Sequence, residues 1–91
     1  EQMLRITPIA NNGIRVTLKL EGKLLTDWAP LLEQECEALL AQRKRVRLDC
    51  SAVTYLDECG VETVRKLRAQ GITLLHSSVF IDELLDRGGQ S

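Results

Sequence analysis

Asp57-Glu58-Cys59-Gly60 sets two carboxylates and a thiol side by side, and the only histidine, His76, follows later with Ser77 and Ser78. These residue types support three readings. In the first, Cys59 is a thiolate nucleophile, His76 its base and Asp57 the acid that orients the imidazole. A helix N-terminus lowers a thiol pKa, but the neighbouring carboxylates of Asp57 and Glu58 raise it. So small a chain also leaves little room for a closed pocket of about 300 Å³ or more. In the second reading Asp57 caps a helix, Glu58 complements its dipole, Cys59 packs as a small apolar residue and Gly60 allows close contact with the sheet. In the third, Asp57, Glu58, Cys59, Gly60, Val61 and Glu62 form an exposed acidic helix start on which a partner docks. Residue chemistry alone does not choose between the last two.

The elements that must position this corner follow from hydrophobic periodicity. Upstream, Val46, Leu48 and Cys50 alternate with Arg45, Arg47 and Asp49, the pattern of a strand with one buried face. A short loop is expected to lead from there to Asp57. Downstream, Val61, Val64 and Leu67 recur at helical spacing from about Cys59 to Gln70, with a Glu62–Lys66 pair on the surface and Gly71 as the stop. Ile72 to Leu75 reads as a short strand. Ser77 or Ser78 then caps a last helix from Val79 to about Arg87, with Phe80, Ile81, Leu84 and Leu85 facing inward.

The opening half supplies the rest of the frame. Leu4 and Ile6 share one strand face, Asn11-Asn12-Gly13 signals a hairpin, and Ile14, Val16, Leu18 and Leu20 alternate with polar residues. Glu21-Gly22-Lys23 is expected to end that strand. A helix then begins with Asp27 as N-cap and Pro30 in its first turn, and Trp28, Leu31, Leu32, Cys36, Leu39 and Leu40 form its apolar stripe. Arg43 and Lys44 suit its C-terminus.

The order is β-β-α-β-α-β-α, an α/β fold. Right-handed crossovers place successive helices on one side when the chain keeps moving in one direction. The expected architecture is a mixed, mainly parallel four-stranded sheet with one antiparallel edge strand and helices on one face. Arg15, Thr17, Lys19, Arg45, Arg47 and Asp49 line the other face, as ordinary cross-strand charge pairing. Carboxyl ends of parallel strands share one sheet edge, so the Asp57–Gly60 corner is expected near His76, Ser77 and Ser78.

Composition narrows the function classes. The 91 residues are read as a single domain, 1–91, with an aliphatic core, since 44% of them are hydrophobic and 3% aromatic. Lys and Arg number 12 against 13 Asp and Glu, a formal net charge of −1, with no basic stripe or stacking aromatics for nucleic acid. No apolar run approaches the ~20 residues that insert in a bilayer. Three cysteines without paired spacing point to free thiols and a cytoplasmic setting. No metal or cofactor constellation is present, and no catalytic residue is assigned.

Three stretches carry a resemblance: Leu20-Glu21-Gly22-Lys23-Leu24, the run Val46 to Asp57 with Gly60, and Gln70-Gly71-Ile72-Thr73-Leu74. From about Arg15 to Arg87 the chain resembles a STAS domain, the module of bacterial anti-sigma-factor antagonists and of the cytoplasmic tails of sulfate transporters. The resemblance implies a non-enzymatic protein-interaction domain that works in regulation of transcription. In such antagonists an anti-sigma factor with serine kinase activity docks at this corner and phosphorylates the first Ser of an Asp-Ser-Ser-Gly motif. Asp57 and Gly60 match that motif, Glu58 stands at the phosphorylated position and Cys59 at the second Ser. A carboxylate cannot accept phosphate, so the usual switch is absent. The partner is then an anti-sigma factor or serine-kinase-like protein, or alternatively a transporter subunit. The family often adds a further strand and helix, which this chain is expected to lack; the free sheet edge is then open to a homodimer or a partner strand.

Overall fold

A computed structural model describes residues 4–88. Seven elements follow in the order β1 (Arg5–Asn11), β2 (Arg15–Leu24), α1 (Ala29–Ala41), β3 (Arg45–Leu56), α2 (Glu58–Ala69), β4 (Thr73–Leu75) and α3 (Val79–Gly88). The strands form one sheet in the order β1-β2-β3-β4. β1 runs antiparallel to β2, while the β2/β3 and β3/β4 pairs are parallel. This is the expected mixed α/β fold.

The hairpin forms where the asparagines and glycine stand. Asn11 Oδ1 accepts from the Gly13 amide, Asn12 Oδ1 accepts from the amides of Ile14 and Arg15, and Gly13 takes a positive φ of 91°. Short polar side chains thus satisfy a turn's free amides. Both parallel links are β-α-β crossovers that step across the sheet in one direction, which puts the helices on one face. Val16, Leu18 and Leu20 of β2 and Val46, Leu48 and Cys50 of β3 bury there. Leu32 and Cys36 of α1, Val64 and Leu67 of α2, and Ile81 and Leu85 of α3 complete the same core. Each such aliphatic side chain contributes about 1.5–3 kcal/mol on burial.

Several boundaries differ from expectation for local reasons. β2 continues through Gly22 to Leu24, and β3 runs to Leu56 without the expected loop. Twice β3 spends one residue more than β2: Lys19 and Glu21 face Asp49 and Ala52, then Gly22 and Lys23 face Val53 and Tyr55. These bulges break the alternation of Ser51 to Tyr55, which therefore imitates a loop. Side chains stitch them, with Asp49 Oδ1 accepting from the Ser51 amide and the Thr54 hydroxyl donating to the Gly22 carbonyl. Asp27 does not cap α1. The helix begins at Ala29 with Trp28 as N-cap, and the amides of Trp28 and Ala29 donate to the Leu25 carbonyl instead.

α2 closes as expected. Gly71 has a φ of 97°, its amide donates to the Arg68 carbonyl and the Ile72 amide to that of Leu67, a Schellman stop. Glu62 pairs with Arg65 at 3.2 Å and not with Lys66, which reaches across to Glu33 of α1. Three side chains expected inside are out: Ile14, Leu31 and Phe80. Phe80 is 49% exposed, whereas its neighbour Ile81 is 2% exposed. Ile81→Ala is therefore expected to cost about 2–5 kcal/mol in urea unfolding and Phe80→Ala less than about 1 kcal/mol. Equal losses would contradict this packing of α3.

Candidate functional site

Asp57 follows β3 in extended geometry and caps α2, its Oδ1 accepting from the Gly60 amide at 2.8 Å. Its other oxygen leaves the local turn. Oδ2 accepts from the Thr26 amide at 2.7 Å and from the Thr26 hydroxyl at 2.9 Å, and the Asp57 amide donates to the Leu24 carbonyl. One carboxylate therefore ties the start of α2 to the segment that leaves β2. Partial desolvation alone would raise its pKa. The amides of Gly60 and Thr26, the Thr26 hydroxyl and the Cys59 amide outweigh it and hold the carboxyl below the ordinary aspartate value.

Gly60 lies against the same segment. A Cβ on it would stand 2.4 Å from the Leu24 carbonyl oxygen and 3.2 Å from Leu24 Cγ. That carbonyl is backbone and cannot swing aside. Glycine, with no Cβ, is the residue that lets α2 approach β2 here.

With Asp57 and Gly60 committed inward, the first turn of α2 presents Glu58 and Cys59 to solvent and Val61 half-buried, and exposed Glu62 follows directly. The turn is a ridge between two shallow, open depressions. One, of about 660 Å³, is lined by Tyr55, Glu58, Val61 and Leu84; the other, of about 540 Å³, by Thr26, Pro30, Glu33 and Lys66. Cys59 and Glu62 line both. Glu58, in the first turn, sits at the positive end of the helix dipole, where it is stabilised.

His76 is elsewhere, and this corrects the expected neighbourhood. β4 ends at Leu75, in register with Asp49, and β3 continues from there to Leu56. At ~3.3 Å per residue the corner lies roughly 20 Å further along the sheet. His76 lies instead within electrostatic reach of Asp49. Cys59, His76 and Asp57 do not assemble into a triad. Ser78 caps α3 by accepting from the Ile81 amide, and the Ser77 hydroxyl donates to Asp82. The other thiols are core residues: burial pushes Cys36 up to about 12, with Glu35 and Glu37 adding to it, and Cys50 up to about 11. Among the described residues no group of three or more His, Cys, Asp or Glu is placed to hold a metal ion.

Asp57 and Gly60, expected at this corner from the sequence, meet partners on the β2 side that were not expected, Thr26 and the Leu24 carbonyl. Nothing local marks Thr26, whose role exists only once β2 and β3 are parallel and in register.

The family model described as "Mlab, STAS domain" matches residues 9–85. The chain belongs to the STAS domain family. Solved structures agree on the fold of this STAS domain. The anti-sigma factor antagonist SpoIIAA in its unphosphorylated form matches with a TM-score of 0.66 at 16% identity, over 92% of this chain and 82% of that one. An uncharacterized protein with a SpoIIAA-like fold from Shewanella loihica gives 0.61 at 14% identity, over 88% and 71% of the two chains. The STAS domain of an anti-sigma-factor antagonist from Rhodobacter sphaeroides gives 0.57 at 21% identity, over 81% and 87%. No curated protein matches the sequence significantly.

The corner's anchoring has a measurable signature. Asp57→Ala removes a cap and a cross-sheet tie and is expected to cost about 1–3 kcal/mol. A carboxyl whose folded pKa is depressed adds stability that is full above its unfolded value and is lost as pH falls through the folded one. Wild type should thus lose stability below about pH 4 more steeply than Asp57→Ala. Asp49, lowered chiefly by the Ser51 amide, keeps its own share of that slope. Parallel acid-unfolding curves for the two proteins would show that the Asp57 bonds are not made in solution.

Proposed function

We propose that this STAS domain is a non-enzymatic protein-interaction domain of a bacterial regulatory, partner-switching system, and that its partner docks on the first turn of α2. The carrying observation is the division of labour at that turn. Asp57 and Gly60 are consumed in holding it, while Glu58, Cys59 and Glu62 stand exposed between two open depressions. Val61 adds apolar surface to one of these. A rigid acidic ridge with apolar flanks suits recognition by charge and shape, and its open depressions do not enclose a small substrate.

Glu58 sets the regulation. The likeness to anti-sigma-factor antagonists supports an anti-sigma-factor or serine-kinase-like partner, and in such antagonists the residue standing here is the serine that takes the phosphate. Glu58 offers no hydroxyl and carries one permanent charge, against about −1.5 to −2 for a phosphoserine. We read it as part of a constitutive docking surface for a partner that does not use the phosphate.

The test is a titration of the isotope-labelled chain with the serine-kinase-like anti-sigma factor, and separately with the transporter ATPase subunit, encoded nearest to it. The expected result is amide shifts centred on residues 57–62 with one of the two, and binding weakened about tenfold or more by Glu58→Lys with unchanged thermal stability. Binding indifferent to Glu58→Lys, with shifts elsewhere, would remove the docking assignment. Glu58→Ser bound as wild type but phosphorylated by the kinase, with release following, would instead mark Glu58 as a lost switch.

A further inference from the structure

We propose that the opposite end of β2 and β3 forms a second docking surface, for an acidic extended segment of a partner protein. The sheet face away from the helices does not carry ordinary charge pairing throughout. Arg5 lies beside Glu21 and Lys19 beside Asp49, as that pattern requires, but Arg15 lies directly beside Arg45. Like charges directly opposite each other on adjacent strands destabilise a sheet. Arg47 follows on the same face, and with Lys44 these cations line a depression of about 540 Å³ together with Leu40 and Leu75. The ion pairs among the described residues, Arg65 with Glu62 and Lys66 with Glu33, involve none of them.

Helix termini do not account for the cluster. The C-terminal ends of α1 and α2 lie at this end of the sheet, each equivalent to roughly −0.5 charge. Lys66 and Arg68 stand in the last turn of α2, and Arg43 and Lys44 follow just after α1. The strand arginines are surplus, and one of them is held in place. Arg47 Nε donates to the hydroxyl of Thr17 at 3.3 Å, and Thr17 is itself buried. The guanidinium is thereby fixed on its stem without spending its terminal nitrogens on a carboxylate.

Geometry narrows the ligand. Guanidinium forks match carboxylates and phosphates in two-point contacts. Arg45 and Arg47 are same-face neighbours on one strand, roughly 6.6 Å apart along it. An extended peptide repeats its alternate side chains at the same interval, so Asp or Glu at every second position would meet both. No aromatic side chain lines the depression to stack a base, which disfavours single-stranded nucleic acid. Its apolar lining from Leu40 and Leu75 suits a peptide better than a bare phosphate.

The probe is the capped peptide Glu-Val-Glu-Val-Glu, titrated into the isotope-labelled chain at about 0.02 M salt and again at about 0.15 M. The expected result is amide shifts at Arg15, Arg45, Arg47 and Thr73, absent with Lys-Val-Lys-Val-Lys, and weaker at the higher salt. The double substitution Arg15→Gln with Arg45→Gln should weaken binding about tenfold, the worth of two exposed charge contacts. Glu58→Lys, at the other end, should leave it unchanged. Both arginines are exposed, so the double variant should unfold at the same or a higher urea concentration than wild type. A lower midpoint would assign the arginines a structural role and overturn the proposal. So would shifts elsewhere, affinity indifferent to the double substitution, or tighter binding of duplex DNA or phosphatidylserine vesicles than of the peptide.

Discussion

Everything at the candidate site depends on how closely α2 approaches β2. The Leu24 carbonyl occupies the space where a side chain on residue 60 would begin. The Asp57 carboxylate closes the same joint, one oxygen on α2 and the other on Thr26. A cap bond alone would fix only the helix's first turn. The cross-sheet bonds also fix where that turn sits relative to the segment between β2 and α1, and so fix the second depression beside it. The site is pre-organised by the Gly60 contact and the Asp57 carboxylate, with Glu58 and Cys59 left out of the fastening.

The same joint explains why Cys59, His76 and Asp57 do not assemble into a triad. A general base must come within hydrogen-bond reach of its nucleophile. Here the one histidine leaves β4 at the level of Asp49, while β3 carries the thiol's helix to the far end of the sheet. The Asp57 oxygens that would have oriented an imidazole already accept from Gly60 and Thr26. The residue types of a triad are all present in the chain, and the topology keeps them apart.

Legibility in the sequence follows the range of the forces involved. Local chemistry was readable: the Asn-Gly hairpin, the Asp57 cap, the Gly71 stop and the Ser78 cap are each set within a few residues. Clean periodicity was readable too, which gave Val16, Leu18, Leu20, Val46, Leu48 and Cys50 as core. What failed depended on partners distant in the chain. The bulges of β3 are defined only against β2, so Ser51 to Tyr55 looked like a loop. Phe80 and Ile14 are apolar residues that stay 49% and 66% exposed, and a pattern of hydrophobicity cannot say which apolar positions a neighbouring element covers. Proximity of His76 to the corner assumed strands of equal length, whereas β4 spans Thr73–Leu75 beside the far longer β3. Arg15 beside Arg45 was likewise invisible until the register was known.

The two proposed surfaces lie at opposite ends of the same parallel strands, on a molecule whose longest axis is 34 Å. The 12 residues of β3, two of them spent in bulges, set the surfaces roughly 30 Å apart at ~3.3 Å per residue, several times the screening length of about 8 Å at physiological salt, so a charge bound at one end is scarcely felt at the other. Mechanical coupling would need an element with two packings of similar energy. The strands between the ends are hydrogen-bonded in fixed register and backed by Leu18, Leu20 and Leu48, all at most 2% exposed. Such a sheet transmits position and not a change of state. If both proposed surfaces are used, a domain built this way would hold two partners at a set distance without either one altering the other's site. A fixed carboxylate at residue 58 fits that role, because a constant charge keeps a docking face constant where a serine would make it conditional.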